Sequence, residues 1–177
     1  DQKAKFSNNK KVTAKDVAIS LARHCWPKSP SIIKGYLLDK IKGIEHLKTG
    51  EIPAGLEIKN DQELIVHLNK PYAPFLHLLA MPGFSISQND DVHIGAGSMV
   101  GQFNKATNLW QLKENETFFG KKAKLKSMNV HSLSGKEAIE ESFKNEEIDI
   151  ILGVPIGEIN DFKLPEDVMI RETDTLS

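Results

Sequence analysis

The chain has 177 residues, 40% of them hydrophobic and 27% charged, with a formal net charge of −1. That is a globular composition with room for a core, and no apolar run approaches the ~18 residues of a transmembrane helix. Charge is uneven: residues 1–50 carry 11 Lys/Arg against 4 Asp/Glu, and residues 137–177 carry 3 against 12. The basic positions are not interleaved with aromatics, so they read as solvated surface and not as a nucleic-acid face.

The first informative stretch is Phe6-Ser7-Asn8-Asn9-Lys10-Lys11-Val12-Thr13-Ala14-Lys15-Asp16-Val17. Ser-Asn-Asn-Lys is turn chemistry. Thr13 stands where a helix starts, and Asp16 three residues on completes a capping box and faces the positive end of the helix dipole. Val17, Leu21 and Cys25 follow one turn apart beside Ala14 and Ala18, giving one apolar face. A lone cysteine excludes an internal disulfide, and next to Trp26 it reads as a buried, inert thiol.

Pro27 and Pro30 break the chain into a loop. Helical spacing resumes from Ser31 to Leu47 through Ile33, Leu37, Ile41 and Ile44, weakened by Gly35 and Gly43. Residues 49–55 form a connector. Leu56-Glu57-Ile58 and Leu64–Leu68 alternate with period two around Asn60-Asp61-Gln62, which predicts a hairpin with Leu64, Val66 and Leu68 on one face. Pro74 then opens a short apolar helix over Phe75–Ala80, in which His77 reads as a partly buried packing residue.

Phe84 to Gly101 reads as loop-rich. Gly95, Gly97 and Gly101 do not make a dinucleotide loop, because the third glycine comes one residue late and no strand and helix flank them. Phe103 to Leu112 reads as two short strands around Ala106-Thr107-Asn108, and residues 121–126 as a lysine-rich turn. The sequon Asn115-Glu116-Thr117 reads as chance. Leu125 to Val130 reads as a strand. Ser134-Gly135-Lys136-Glu137 has capping-box spacing before a helix with Ala138, Ile139, Ser142 and Phe143 inward. Ile148 to Leu152 reads as a buried strand, Gly153 to Ile156 as a loop, and Val168 to Arg171 as a last strand.

Catalytic patterns are missing from the sequence. His24, His46, His67, His77, His93 and His131 form no ligand pair of close spacing, and no metal or cofactor is implied. There is no nucleophile elbow and no phosphate-cradling loop. Glu137, Glu140, Glu141, Glu146 and Glu147 read as a solvated acidic face before they read as an acid/base pair.

Several of these stretches, in order, resemble the family-5 extracellular solute-binding proteins, the oligopeptide-, dipeptide- and nickel-binding receptors of ABC importers. Phe6-Ser7 and Val12-Thr13-Ala14-Lys15-Asp16-Val17 are similar to that family's aromatic-Ser…Val-Thr-Ala-x-Asp-Val segment. Ile41-Lys42-Gly43-Ile44-Glu45, the Leu56–Leu68 hairpin, and Pro71-Tyr72-Ala73-Pro74-Phe75-Leu76 follow in the family's order. Lys48–Ala54 looks like the insert of the oligopeptide-binding branch. Gly95-Ala96-Gly97 keeps part of a Gly-x-Gly-Pro-aromatic turn and departs from it at Ser98 and Met99. Asn115…Phe118-Phe119-Gly120 matches Asn-Pro-x-Tyr-Trp-Gly. Asn145-Glu146-Glu147-Ile148-Asp149-Ile150 matches Asn-Gly-Glu-Ile-Asp-Ile, with Glu146 in place of the glycine.

The resemblance implies an α+β fold of the periplasmic-binding-protein-like class (type II), with packed helices on small mixed sheets. It places the small second domain at 1–100 and part of the first, ligand-facing lobe at 101–177, with an upstream segment and a third domain outside these residues. It implies capture of a small solute, a peptide first, and delivery to ABC permease subunits, with no cofactor and no nucleic acid. The setting is periplasmic or extracellular, with lipid anchorage through a preceding segment as one option. Leu152, Gly153, Val154 and Pro155 hold the positions that face the ligand, and Tyr36 and Leu38 lie near a second approach to it. Two other readings stay open at this point: the solute-sensing domain of a cytosolic transcriptional regulator, which an upstream helix-turn-helix would mark, and a carboxylate-dependent hydrolase using Glu137 or Glu141.

Overall fold

The computed structural model describes residues 3–88, 91–154, 156–163 and 168–169. They fall into two compact units, residues 1–130 and 131–177. The fold is α+β, with short helices and small antiparallel sheets.

Unit 1 is organised on α1, Ala14–Ala22. Its capping box forms as the sequence predicts. The Asp16 backbone N–H donates to Thr13 Oγ1 at 3.3 Å, and the Thr13 backbone N–H donates to Asp16 Oδ2 at 2.8 Å. Both orphan donors of the first turn are thereby satisfied at a partly buried site. Ala14, Ala18, Leu21 and Ala22 are buried, as is Cys25 in the 3₁₀ turn Arg23–Cys25 that follows.

Against this face sit Leu37, Ile41 and Ile44, each 0% exposed. The predicted helix over 31–47 is not there: only α2, Gly35–Leu38, is helical. The apolar spacing is right and the element is wrong: α2 already stops at Leu38, with Asp39 at φ −100 and ψ 0, and Gly43 at φ +72 lies in the turns beyond it. Turns deliver the same three side chains to the core.

The hairpin is present as β1, Leu56–Asn60, and β2, Glu63–Val66, with Leu56 opposite Val66 and Ile58 opposite Leu64. Leu64, Val66 and Leu68 pack on the core. The hairpin turn is tied to α1 by the Ala14 N–H donating to Asp61 O at 2.7 Å. Gly55 leads into β1 hard against the main chain of residue 42: a Cβ there would lie 2.6 Å from Lys42 O. Only glycine fits such a backbone approach.

Helix α3, Phe75–Leu79, buries Phe75 and Leu78. His77 is exposed, not partly buried, because it falls on the opposite side of this single turn. The region 84–101 is more ordered than expected. It contains β3, Ser87–Gln88, paired with β4, Asp91–Gly95, and the start of β5, Met99–Asn104. β5 pairs along its length with β6, Leu109–Glu114, and β7, Ser127–His131, completes a three-stranded sheet.

The N-terminal turn is locked to this region from several sides. Phe6 is fully buried. The Ser7 N–H donates to Gly95 O at 2.9 Å, and Thr117 Oγ1 donates to Phe6 O at 3.0 Å. Asn115, 2% exposed, donates from Nδ2 to Gly97 O at 2.7 Å. A glycan acceptor nitrogen buried and occupied in this way supports reading the sequon as chance.

Candidate functional site

The predicted ligand-facing loop belongs to unit 2. It follows helix α4, Lys136–Lys144. The predicted capping box at Ser134 does not form: the N-cap is Gly135 at φ +89, and no side chain caps the helix. Ala138, Ile139, Ser142 and Phe143 are half-buried while Glu137 and Glu141 are exposed, so the inward face is the expected one. Residues beyond the loop return to this helix. The Lys163 N–H donates to Glu140 Oε1 at 2.8 Å, and Lys136 Nζ lies 5.9 Å from the Phe162 ring centroid and 3.8 Å from Glu140.

α4 ends in a Schellman motif. The Glu147 N–H donates to Ser142 O at 2.9 Å and the Glu146 N–H to Phe143 O at 3.1 Å. Glu146 sits at φ +58, the left-handed position that glycine normally fills. The turn sends the chain into 148–154. That segment is not the buried strand its sequence predicts: Ile150 is 74% exposed, Leu152 is 87% exposed, and no strand is formed there. A buried strand needs a neighbour for its peptide groups, and none of the described residues pairs with 148–152.

Leu152 therefore projects from a segment that is neither helix nor strand, Gly153 takes φ +77, and Val154 is half-buried. Among the described residues no hydrogen bond engages the backbone of Leu152, Gly153 or Val154. This stretch presents an apolar side chain and open peptide donors and acceptors together. Pro155 lies outside the described residues, as do Ile170 and Arg171 of the predicted strand 168–171 and the terminal residues; Val168 and Met169 are described and are not in a strand.

Tyr36 and Leu38 belong to unit 1. Leu37 between them is fully buried and anchors α2, which leaves Tyr36 51% exposed and Leu38 half-buried. The two predicted groups thus lie in different units, and each is defined within its own.

Elsewhere in unit 1, two depressions mark the surface. One, of about 410 Å³, is lined by residues including Arg23, His24, Trp26 and Lys28; the other, of about 240 Å³, by residues including Ser7, His93 and Trp110. Neither contains Tyr36 or Leu38. His93 and Phe103 flank the Trp110 ring at 5.9 and 5.2 Å. The sequence reading missed this aromatic cluster, although the period-two spacing of Trp110 and Leu112 was its signal.

His24 is buried, accepts or donates at Nδ1 to Ser31 Oγ at 2.8 Å, and packs edge-on to Phe84. Burial, and then the adjacent Arg23, hold its imidazole below the usual pKa. Burial also raises the Cys25 thiol, which keeps it protonated and unreactive. No group of three His, Cys, Asp or Glu among the described residues could hold a metal.

The family model of the bacterial extracellular solute-binding proteins, family 5 (middle), matches residues 1–177. The chain belongs to this family. Among solved structures similar to this family-5 chain is an oligopeptide ABC transporter substrate-binding domain from Bacillus anthracis, 26% identical with a TM-score of 0.69, covering 84% of this chain and 32% of its own. Listeria monocytogenes OppA bound to peptide is 27% identical with a TM-score of 0.68, at 84% and 33% coverage. The Escherichia coli murein tripeptide binding protein MppA, at 21% identity and a TM-score of 0.74, covers 91% of this chain and 35% of its own, and shares the fold. The chain spans about a third of the length of these relatives. No curated protein matches it.

Proposed function

We propose that these residues are part of a receptor that captures a peptide outside the cytoplasmic membrane, in the periplasm or extracellularly, and hands it to the permease subunits of an ABC importer. The observation that carries this reading is the family match over the whole chain, joined by an oligopeptide-transporter domain and a peptide-bound OppA at 26% and 27% identity. In this reading, 1–100 is the small second domain and 101–177 belongs to the ligand-facing lobe.

Leu152, Gly153, Val154 and Pro155 form part of one cleft wall, and Tyr36 and Leu38 lie at a second approach. The chemistry of the loop suits a peptide. Open main-chain groups pair with a peptide backbone whatever its sequence, and an apolar neighbour excludes water from those bonds. No bond-breaking group is needed, since closure of two lobes around the ligand supplies the affinity.

Calorimetry with a mixed peptide pool tests it. The longer protein carrying these residues binds peptide, and Gly153→Val in that protein weakens binding at least tenfold without unfolding it. The 177-residue chain alone binds weakly or not at all, because one wall encloses too little of a ligand. Micromolar binding to the chain alone would place the site wholly within it and overturn the cleft assignment.

A further inference from the structure

We propose that the turn Phe119–Lys126 is a docking surface for an anionic lipid bilayer. The stretch reads Phe119-Gly120-Lys121-Lys122-Ala123-Lys124-Leu125-Lys126 and contains neither helix nor strand. Its base is closed by the Glu114 N–H donating to Lys126 O at 2.9 Å, so residues 115–125 form a loop whose ends are held together. Within it the Phe118 N–H donates to Asn115 O, and the buried Asn115 is fixed to Gly97 and Ser98. Gly120 allows the Phe118 ring to fold under the turn: a Cβ there would lie 2.8 Å from that ring. The presented residues stand on a hydrogen-bonded base.

All four lysines of the turn are exposed. Glu114, at the base with a side chain 12% exposed, pairs with Lys122 at 3.8 Å and with Lys126. Lys121 and Lys124 have no carboxylate partner among the described residues. Over 113–126 five lysines stand against Glu114 and Glu116, a local charge of +3 in a chain whose total is −1.

A charge run alone is a solvated face. The turn also sets two large apolar side chains among its charges: Leu125 is 58% exposed and Phe119 43%. Lysines that reach anionic headgroups, an aromatic ring at headgroup depth and an aliphatic chain below it are the components of an interfacial anchor. A nucleic acid uses the cations but gains nothing from Leu125, and one exposed aromatic is no stacking platform. The charge and the apolar pair together fit a bilayer carrying acidic lipids.

Co-sedimentation of the 177-residue chain with vesicles decides it. The chain pellets with mixed phosphatidylglycerol–phosphatidylcholine vesicles and stays in solution with phosphatidylcholine alone, and added salt releases it. Each lysine is worth about fivefold in partition, so the triple variant Lys121→Gln, Lys122→Gln, Lys124→Gln binds about a hundredfold more weakly. Leu125→Ser loses about fivefold and leaves the salt dependence intact. The triple variant Lys10→Gln, Lys11→Gln, Lys15→Gln makes the same change in net charge at exposed sites elsewhere and binds as the parent does. Circular dichroism verifies that each variant is folded. Equal binding to neutral vesicles, equal loss in the two triple variants, or tighter binding to a single-stranded oligonucleotide than to the acidic vesicles would each overturn the proposal.

Discussion

The two units differ in whether they hold an enclosed core. Unit 1 has one: Leu21, Leu37, Ile41, Ile44, Leu56 and Phe84 are all at most 4% exposed and form one cluster, while Ile32, Leu76 and Leu125 stay exposed around it. Unit 2 buries none of its described residues fully: Leu133, Ile139, Ile148 and Ile151 are half-buried, and Ile150, Leu152 and Met169 face outward at 74%, 87% and 75% exposure. Fully burying a Leu or Ile is worth roughly 1.5–3 kcal/mol. Unit 1 therefore carries its own driving force for folding, while unit 2 leaves much of its apolar surface to be covered by something else. The candidate ligand loop sits in the second kind of region, where a surface can be wetted in one state and covered in another.

The largest expected effect tests this contrast directly. Leu37→Ala or Ile41→Ala lowers stability by about 2–5 kcal/mol in denaturant titration, whereas Ile150→Ala or Leu152→Ala shifts the midpoint by no more than about 0.5 kcal/mol. A large loss at Ile150 would show that unit 2 hides a core and would break the comparison. Next in size is the cap of α1. Thr13→Ala removes a side-chain acceptor at a partly buried site and costs about 1 kcal/mol by thermal melting.

Glu146→Gly is smaller and of opposite sign. A non-glycine residue in the left-handed region costs about 1–2 kcal/mol, and part of the relief is returned as extra entropy in the unfolded chain. The expected gain is about 0.5–1 kcal/mol, confined to unit 2 and read by slower amide exchange at Glu146 and Glu147. The smallest effect is that of pH. His24 has a lowered folded pKa, so below about pH 6.5 the unfolded chain holds the proton more readily and stability falls as pH falls. His24→Gln flattens that slope in unfolding titrations between pH 5 and 8. An unchanged slope would mean that His24 takes up its proton as readily in the fold as in the unfolded chain.

How much of this was legible depended on whether the signal was local. The Thr13–Asp16 cap, the hairpin turn at Asn60–Gln62 and the helix after Pro74 are each fixed by a few adjacent residues, and each is where the sequence places it. Leu37, Ile41 and Ile44 are buried as predicted, but spacing of three and four residues is satisfied by successive turns as well as by a helix. The segment 148–152 failed for the opposite reason. Its run of aliphatics has the composition of an inner strand, and whether it is one depends on partners far away in the chain. Glu146 was legible in part: the family pattern marked a glycine position, but only the backbone shows that the position is left-handed and that the chain tolerates the strain. The site residues followed the same rule. The exposure of Tyr36 comes from Leu37 taking the inward position, a local consequence of α2, while the exposure of Leu152 could not be read from its neighbours.

The bond between Thr117 Oγ1 and Phe6 O joins residues 111 positions apart. On a ribosome adding about 5–20 residues per second, Thr117 appears about 6–22 s after Phe6. Gly95, the other anchor of this turn, also comes late. Throughout that interval the Phe6 ring, destined for complete burial, has none of these partners and is exposed on the nascent chain. Phe6 is thus fastened only after residue 117 has been made, and until then it offers holdase chaperones an apolar handle.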